Sequence, residues 1–445
     1  MARTVFTEVN LLDGHRAARP DQIVVVEGER ITEIRSDAPS IAPDDRVIPL
    51  DGRTLMPGMT IGHWHPDYPD LKLTEIYEKY IGLEKPPAYH AALAVRYLQH
   101  ALMNGFTQVV GAGCSHDIDS SMKMAIEEGV FEGPRIVCGS RHIDTTGNDN
   151  DSAPWWKEMG PPSVDGIRRV GAEVICDGVS DIRKAVRGEI NRGAEIIKLF
   201  PTGGHGVVPR GNYRGMAEDE YIAAIEAAHQ RNARVRAHCV AKPAILKSID
   251  LGVDIIDHGD EIDGQCIEKM VKHGTGYIPS MLFLKKLREH VLAASGGEVS
   301  VASQEQLGPI EQDFENMRKM LPEANKAGVC IVPGDDYGVE IIPHVPGIYA
   351  QELAVYVEDV GIAAIDVLRW ATVNGAALSQ RSEDLGSIEV GKIADLLVVD
   401  GDPSADIRLL QDPERNLRAI MKGGRFVKDL LDQGGGDGGR NARTS

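Results

Sequence analysis

The chain has 445 residues, 42% of them hydrophobic, with 48 glycines and only 5% aromatics; that supports a large core plus a smaller satellite domain and fits no fibrous or disordered class. A net charge of −19, from 48 basic and 67 acidic residues, argues against nucleic acid or an anionic membrane as partner. Cys114, Cys138, Cys176, Cys239, Cys266 and Cys330 stand singly, the opening MARTVFTEVNLLDG lacks the apolar core of a leader, and no apolar run reaches membrane-span length, so a reducing cytoplasm is the expected location.

The N-terminal pieces TVFTEVNLL (4–12), IVVVE (23–27), RITEI (30–34) and VIPL (47–50) are short, β-rich and separated by Gly, Asp and Pro turns. The same texture returns after residue 385 in GSIEVGKIADLLVVDGDP and in AIMKGGRFV (419–427). Residues 1–56 and 385–433 are therefore expected to share one small β-sandwich, with 57–384 inserted into it and 434–445 a disordered tail. Within the insert, strand-like runs at 107–113, 135–140, 195–200, 234–239, 254–259, 275–280 and 329–336 alternate with helical segments such as EDEYIAAIEAAHQRN. That alternation predicts a parallel α/β fold, a distorted (β/α)8 TIM barrel.

Several residues along this barrel have metal-site chemistry. In PGMTIGHWHPDY, His63 and His65 are two apart, so in an extended segment they point to one face and can grip one ion. Lys198 sits in the apolar strand AEIIKLF, where a lone ammonium is costly to bury. Such a lysine either reaches the rim or a carboxylate, or loses its proton and captures CO2 as a carbamate that can bridge two ions. His238 in RVRAHC and His258 in IIDHG stand at the C-terminal ends of successive strands, where active sites of parallel barrels gather; each alone reads equally as a core histidine. Neutral imidazoles suit zinc and its neighbours.

These segments together resemble the amidohydrolase superfamily, in its imidazolonepropionase and prolidase-like branch. PGMTIGHWH is similar to the family's PGLIDxHxH, with Ile61 where the family has Asp. IIKLFPTGG matches its carbamylated-lysine strand, AHCVA and IDHG its two later histidines, and GDDYG its GTDxG. LGSIEVGKIADLLVVDGDP matches its closing signature, so the resemblance spans nearly the whole chain. It implies two divalent ions, zinc by expectation, held by His63, His65, Lys198, His238, His258 and Asp336, with a CO2-derived carbamate on Lys198. Asp336, aligned on the family's Asp, would accept a proton from water and return it to the leaving nitrogen, while Lys198 and His258 complete the catalytic set. Asp335 would be a neighbour only.

Substrate contacts are expected from loops after the strands: His142, His205, Tyr213, Tyr337 and His344, with Trp155 and Trp156 as an apolar wall and Trp64 turned away by strand alternation. TTGND stands where the family often carries TGGH, which removes one usual histidine contact. The expected partner is a small-molecule substrate and the expected assembly a homo-oligomer. A phenylurea or anilide releasing an aniline is the favoured substrate. Alternatives are an Xaa-Pro or other dipeptidase, for which Arg210 and Arg214 could bind a carboxylate, a cyclic amide hydrolase, or a non-catalytic binding protein of the same fold.

Overall fold

The computed structural model describes residues 3–37, 40–73, 82, 85–148, 151, 171–203, 215–294 and 301–431, with backbone alone over 301–306. His205, Arg210, Tyr213, Arg214, Trp155, Trp156 and the expected tail at 434–445 lie outside the described residues.

Both ends of the chain build one sheet. Strands β1 (Arg3–Leu11), β2 (Arg19–Glu27), β3 (Arg30–Arg35), β4 (Arg46–Pro49) and β5 (Thr54–Pro57) come from the start. The chain then leaves for the α/β part. Its first parallel sheet holds β6 (Met59–Trp64), β7 (Phe106–Gly111) and β8 (Arg135–Val137). The second parallel sheet contains β9 (Gly139–Asp144), β10 (Glu173–Ile175), β11 (Ile196–Leu199), β12 (Arg234–Cys239), β13 (Ile255–His258), β14 (Gly276–Ile278) and β15 (Cys330–Ile331). It has seven strands, in the order β10-β9-β11-β12-β13-β14-β15. The chain returns as β16 (Leu396–Val399), β17 (Leu417–Lys422) and β18 (Arg425–Asp429), with β16 antiparallel to β5.

The continuous apolar run LLVV of β16 follows from burial on both faces. Leu397 and Val399 enter the main core of the α/β part, whereas Leu396 and Val398 join a second cluster with Phe6, Val24, Leu55 and Met421. Arg135 grips Asp395 through two hydrogen bonds of 3.0 Å, and Gly58 N donates to Asp395 O, so the returning segment is tied to the inserted part just before β16 begins.

Helices separate successive parallel strands: Gly178–Asn191 before β11, Glu218–His229 before β12, Lys242–Leu251 before β13 and Gly264–His273 before β14. The last shows how sequence sets such limits. Asp263 caps it by accepting from Gln265 N and Cys266 N, and Gly274, at φ 67°, ends it in the left-handed conformation.

The two parallel sheets meet at both ends. Gly62 N of β6 donates to Pro333 O just after β15 at 2.6 Å, and β8 and β9 are separated by Cys138 alone. Val110, Ile196, Ile255, Ile278 and Val332, drawn from both sheets or their ends, pack with Leu378 into a separate buried cluster. No described helix is long and apolar enough to cross a membrane.

Candidate metal centre

His63 lies on β6 and His65 one residue past its end, on the same side of the extended chain, and both are buried. His65 Nδ1 lies 2.8 Å from Gly113 O, and a carbonyl can only accept, so Nδ1 carries the proton and Nε2 keeps its lone pair. Burial lowers the His65 pKa below the ordinary histidine value, keeping the ring neutral. His63 Nδ1 lies 3.2 Å from both Asp257 Oδ1 and Arg236 Nη2, so the ring is held at that nitrogen by both members of the pair while Nε2 turns to Asp336. The two Nε2 atoms are 3.1 Å apart.

Asp336 completes this convergence. Its Oδ1 stands 2.8 Å from His63 Nε2 and 3.2 Å from His65 Nε2, and one ligand atom from each of the three residues lies within 4.8 Å of the others. Burial opposes ionisation of Asp336, but the facing His63 and His65 outweigh it and hold its carboxyl well below the usual range. Two ring nitrogens and a carboxylate oxygen this close call for a proton or a cation among them, and together they make a ligand set. Ligand distances of about 2.0–2.2 Å around zinc put neighbouring ligand atoms roughly 3.3 Å apart, close to the spacing seen. The set suits a divalent ion.

Asp335 is held elsewhere. Its Oδ2 accepts from Phe283 N at 2.9 Å and its Oδ1 from Asp336 N at 2.8 Å, so it braces the turn that presents its neighbour. Asp336 keeps 23% of its side chain exposed while His63 keeps none, so the cluster opens to solvent at the carboxylate.

His258 is reached by backbone strain. On a regular strand, consecutive side chains of β13 would face opposite ways, but His258 adopts φ 68°, left-handed territory that non-glycine residues enter at a cost of about 1–3 kcal/mol. Asp257 and His258 therefore both turn inward. The His258 ring lies 5.3 Å from that of His63 and 4.5 Å from that of His238. Phe200 stacks on His238 at 4.9 Å and 16°.

Lys198 pairs with Asp257, Nζ to Oδ2 at 2.6 Å, and burial lowers its pKa despite that partner. All six expected ligands are thus drawn into one neighbourhood, although only His63, His65 and Asp336 converge on a single point.

Among the expected substrate contacts, His142 is beside the cluster, and it stands on strand β9 instead of in a loop after a strand as expected. It neighbours Lys198 across β9 and β11, its ring is 5.8 Å from that of His65, and neither buried ring nitrogen has a partner among the described residues. Burial drives its pKa well below the usual value, so it is neutral. Gly113 makes room for it: a Cβ there would lie 2.1 Å from His142 Nε2. Tyr337 is buried with its hydroxyl donating to Glu352 at 2.5 Å, and His344 stacks on Tyr97 at 4.1 Å; neither reaches the three-atom convergence. Trp64 packs on His344 and Tyr349, on the side away from the histidine pair, as strand alternation requires.

A family model described as the amidohydrolase family matches residues 54–427. The chain belongs to that family. It is a hydrolase acting on carbon–nitrogen bonds. Ochratoxinase from Aspergillus niger is 28% identical over 404 residues, covering 88% of this chain and 78% of the relative, and its crystal structure superposes with a TM-score of 0.80. A prolidase solved with N-methylphosphonate-L-proline is 29% identical, with a TM-score of 0.81 over 96% of this chain and 100% of that one. Phenylurea hydrolase B, at 19% identity and a TM-score of 0.72 over 96% of this chain and 97% of its own, shares the fold.

Arg236, Asp257 and Phe200 were not singled out by motif. For Arg236 a signal existed, since it is two residues before His238 on β12 and so shares its face.

Proposed function

We propose that the chain is a binuclear metal-dependent hydrolase whose two parallel sheets close into one distorted (β/α)8 barrel, beside a β-sandwich made by residues 1–56 and 385–433. The meeting of Gly62 with Pro333 and the buried cluster shared by the sheets support closure. The observation that carries the chemistry is the convergence of His63 Nε2, His65 Nε2 and Asp336 Oδ1. These residues would hold one ion, His238 and His258 the other, and a carbamate on Lys198 would join them. Such ions supply an acidified water and a charge that polarises the scissile carbonyl.

The protein groups then do the rest. Asp336 accepts the water's proton at a carboxylate oxygen and passes it to the departing nitrogen, for which its partial exposure is suited. His142, neutral and unpartnered, donates its ring N–H to the carbonyl oxygen.

Similarity to a prolidase with a proline phosphonate bound, over nearly all of both chains, favours a dipeptide-like substrate with an amino acid on the leaving side. The aryl reading rests on Phe200, whose ring flanks His238, His142 and Lys198 and offers an apolar wall to a phenyl group. Measuring kcat/KM for an Xaa-Pro dipeptide, an acyl anilide and a phenyl-dimethylurea under one metal condition separates the two. The dipeptide should lead by at least about tenfold, the scale of a well-paired terminal charge. An anilide or urea ahead of it would reverse the order of the readings. No turnover of any of them in zinc-loaded protein would count against both.

A further inference from the structure

Arg236 is fully buried, and its hydrogen bonds tie together parts of the site that belong to different strands, with His63 Nδ1 at 3.2 Å from its Nη2 among them. Its Nη1 donates to Gly111 O at the end of β7 at 2.7 Å, and its Nη2 to Gly62 O of β6 at 3.2 Å. Its Nε donates to Asp257 Oδ2 at 2.9 Å, and Nη2 also reaches Asp257 Oδ1. One planar fork thus spans the three-stranded sheet, which carries His63, and the seven-stranded sheet, which carries Lys198. Asp257 extends the same span. Its Oδ1 is 3.2 Å from His63 Nδ1 and its Oδ2 2.6 Å from Lys198 Nζ, so a single carboxylate contacts one residue expected at the first ion and the residue expected to bridge both.

We infer that Arg236 and Asp257 are positioning residues that fix the distance between His63 and Lys198, and with it the ability of the site to hold two ions together. This rests on the metal-dependent reading above. Asp257 Oδ1 and Arg236 Nη2 each lie 3.2 Å from His63 Nδ1, so together they hold the ring by the nitrogen that points away from Asp336, as partners behind a metal-binding imidazole do. Arg236 in turn orients Asp257. Its anchors on Gly62 and Gly111 are backbone carbonyls, so the carboxylate is referenced to the strands themselves and cannot follow a drifting side chain. A lysine at 236 could neutralise Asp257 but could not reach both carbonyls as well, because it presents one nitrogen where arginine presents three.

The test uses full-length protein loaded with zinc in bicarbonate buffer. Zinc content and affinity are read by competition with a chromophoric chelator, and thermal midpoints are taken in EDTA. Arg236→Lys should keep the parental midpoint within a few degrees yet bind zinc about 10- to 100-fold more weakly, the range seen when partners of metal-binding histidines are removed. The second zinc should be lost before the first. The paired change Arg236→Met with Asp257→Asn removes both charges of the buried pair, which other proteins tolerate, and leaves an amide oxygen for Lys198 Nζ. Here the midpoint should stay within a few degrees of the parent while zinc binding stays weak. Parental zinc affinity in Arg236→Lys, or in the double variant, would assign the pair a packing role only and overturn the proposal. A parent that takes up no zinc would instead sink the metal-dependent reading on which the proposal stands.

Discussion

At the scale of single residues, the pairing of an acidic dyad with two different jobs can be separated by experiment. Asp336→Asn should lower kcat by about 100- to 10,000-fold, the contribution of a positioned general base, since its Oδ1 faces both histidines. Asp335→Asn keeps an acceptor for only one of Phe283 N and Asp336 N, and the loss of one such hydrogen bond should keep the rate within about tenfold. Steady-state rates under saturating zinc check both, and the reverse order would mean that the register at the end of β15 has been misassigned. Asp119 makes a different prediction. Burial pushes its carboxyl up to about 7, above its unfolded value, so the protonated form favours the fold. Its contribution is complete below about pH 4 and is lost as pH rises through about 7, a swing on the order of 4 kcal/mol at most. Asp119→Asn, which still offers an oxygen to Gly139 N, should raise the thermal midpoint at pH 8 and change it little at pH 4. Equal midpoints at both values would refute the assignment. His63 and His65 stood out by their spacing and Lys198 by its apolar strand, whereas Asp336 came only from the resemblance of GDDYG to the family's GTDxG. Asp257 was not readable, because it hides beside His258, and alternation would send one of the two outward; only the left-handed backbone at His258 brings both inside.

At the scale of elements, strands with strong apolar runs were legible almost to the residue: RVRAHC predicted β12 at Arg234–Cys239, and DIIDHG contains β13. Three strands escaped, and one of them, β9 at Gly139–Asp144, was merged with β8 into a single run at 135–140 and otherwise read as loop. In β5, TLMP is buried on both faces and ends on a proline, so it shows neither alternation nor length; β10 is three residues long. Close approach of elements also left no periodic trace. Gly334, just past β15, lies so near β6 that a Cβ on it would stand 2.2 Å from His63 N. Gly334→Ala should therefore cost about 1–3 kcal/mol, as overpacking does, and weaken zinc binding by displacing His63. Gly264→Ala is the control, with nothing within 4 Å of the added methyl, and should leave the midpoint equal or higher. Thermal midpoints and chelator competition on the two variants decide the matter; equal behaviour would show that β6 can shift freely.

At the scale of the molecule, the insertion of the α/β part between two halves of one sheet was legible from the returning β-rich texture after residue 385. What could not be read was that the returning segment packs into the main core as well, through Leu397, Val399, Ile407 and Leu417. The terminal sheet is thus not a detachable appendage. Protein ending at residue 384 should be insoluble, because β5 would lose its partner β16 and the core would lose these side chains. Co-expression of 385–431 should recover part of the soluble yield, and a stable, monomeric, zinc-binding 1–384 protein would contradict this.

The pairing of β5 with β16 also has a consequence in time. About 340 residues separate them, which at roughly 5–20 residues per second takes a ribosome on the order of 17 to 70 seconds. For that interval the edge of β5 is made but its partner does not yet exist. The parallel strands and their helices emerge in order and can begin to pack, while the sheet that seals them waits for almost the last of the chain. Slowing synthesis between residues 57 and 396 should accordingly lengthen the exposure of an unpaired strand, and the nascent protein's need for a chaperone should grow with it.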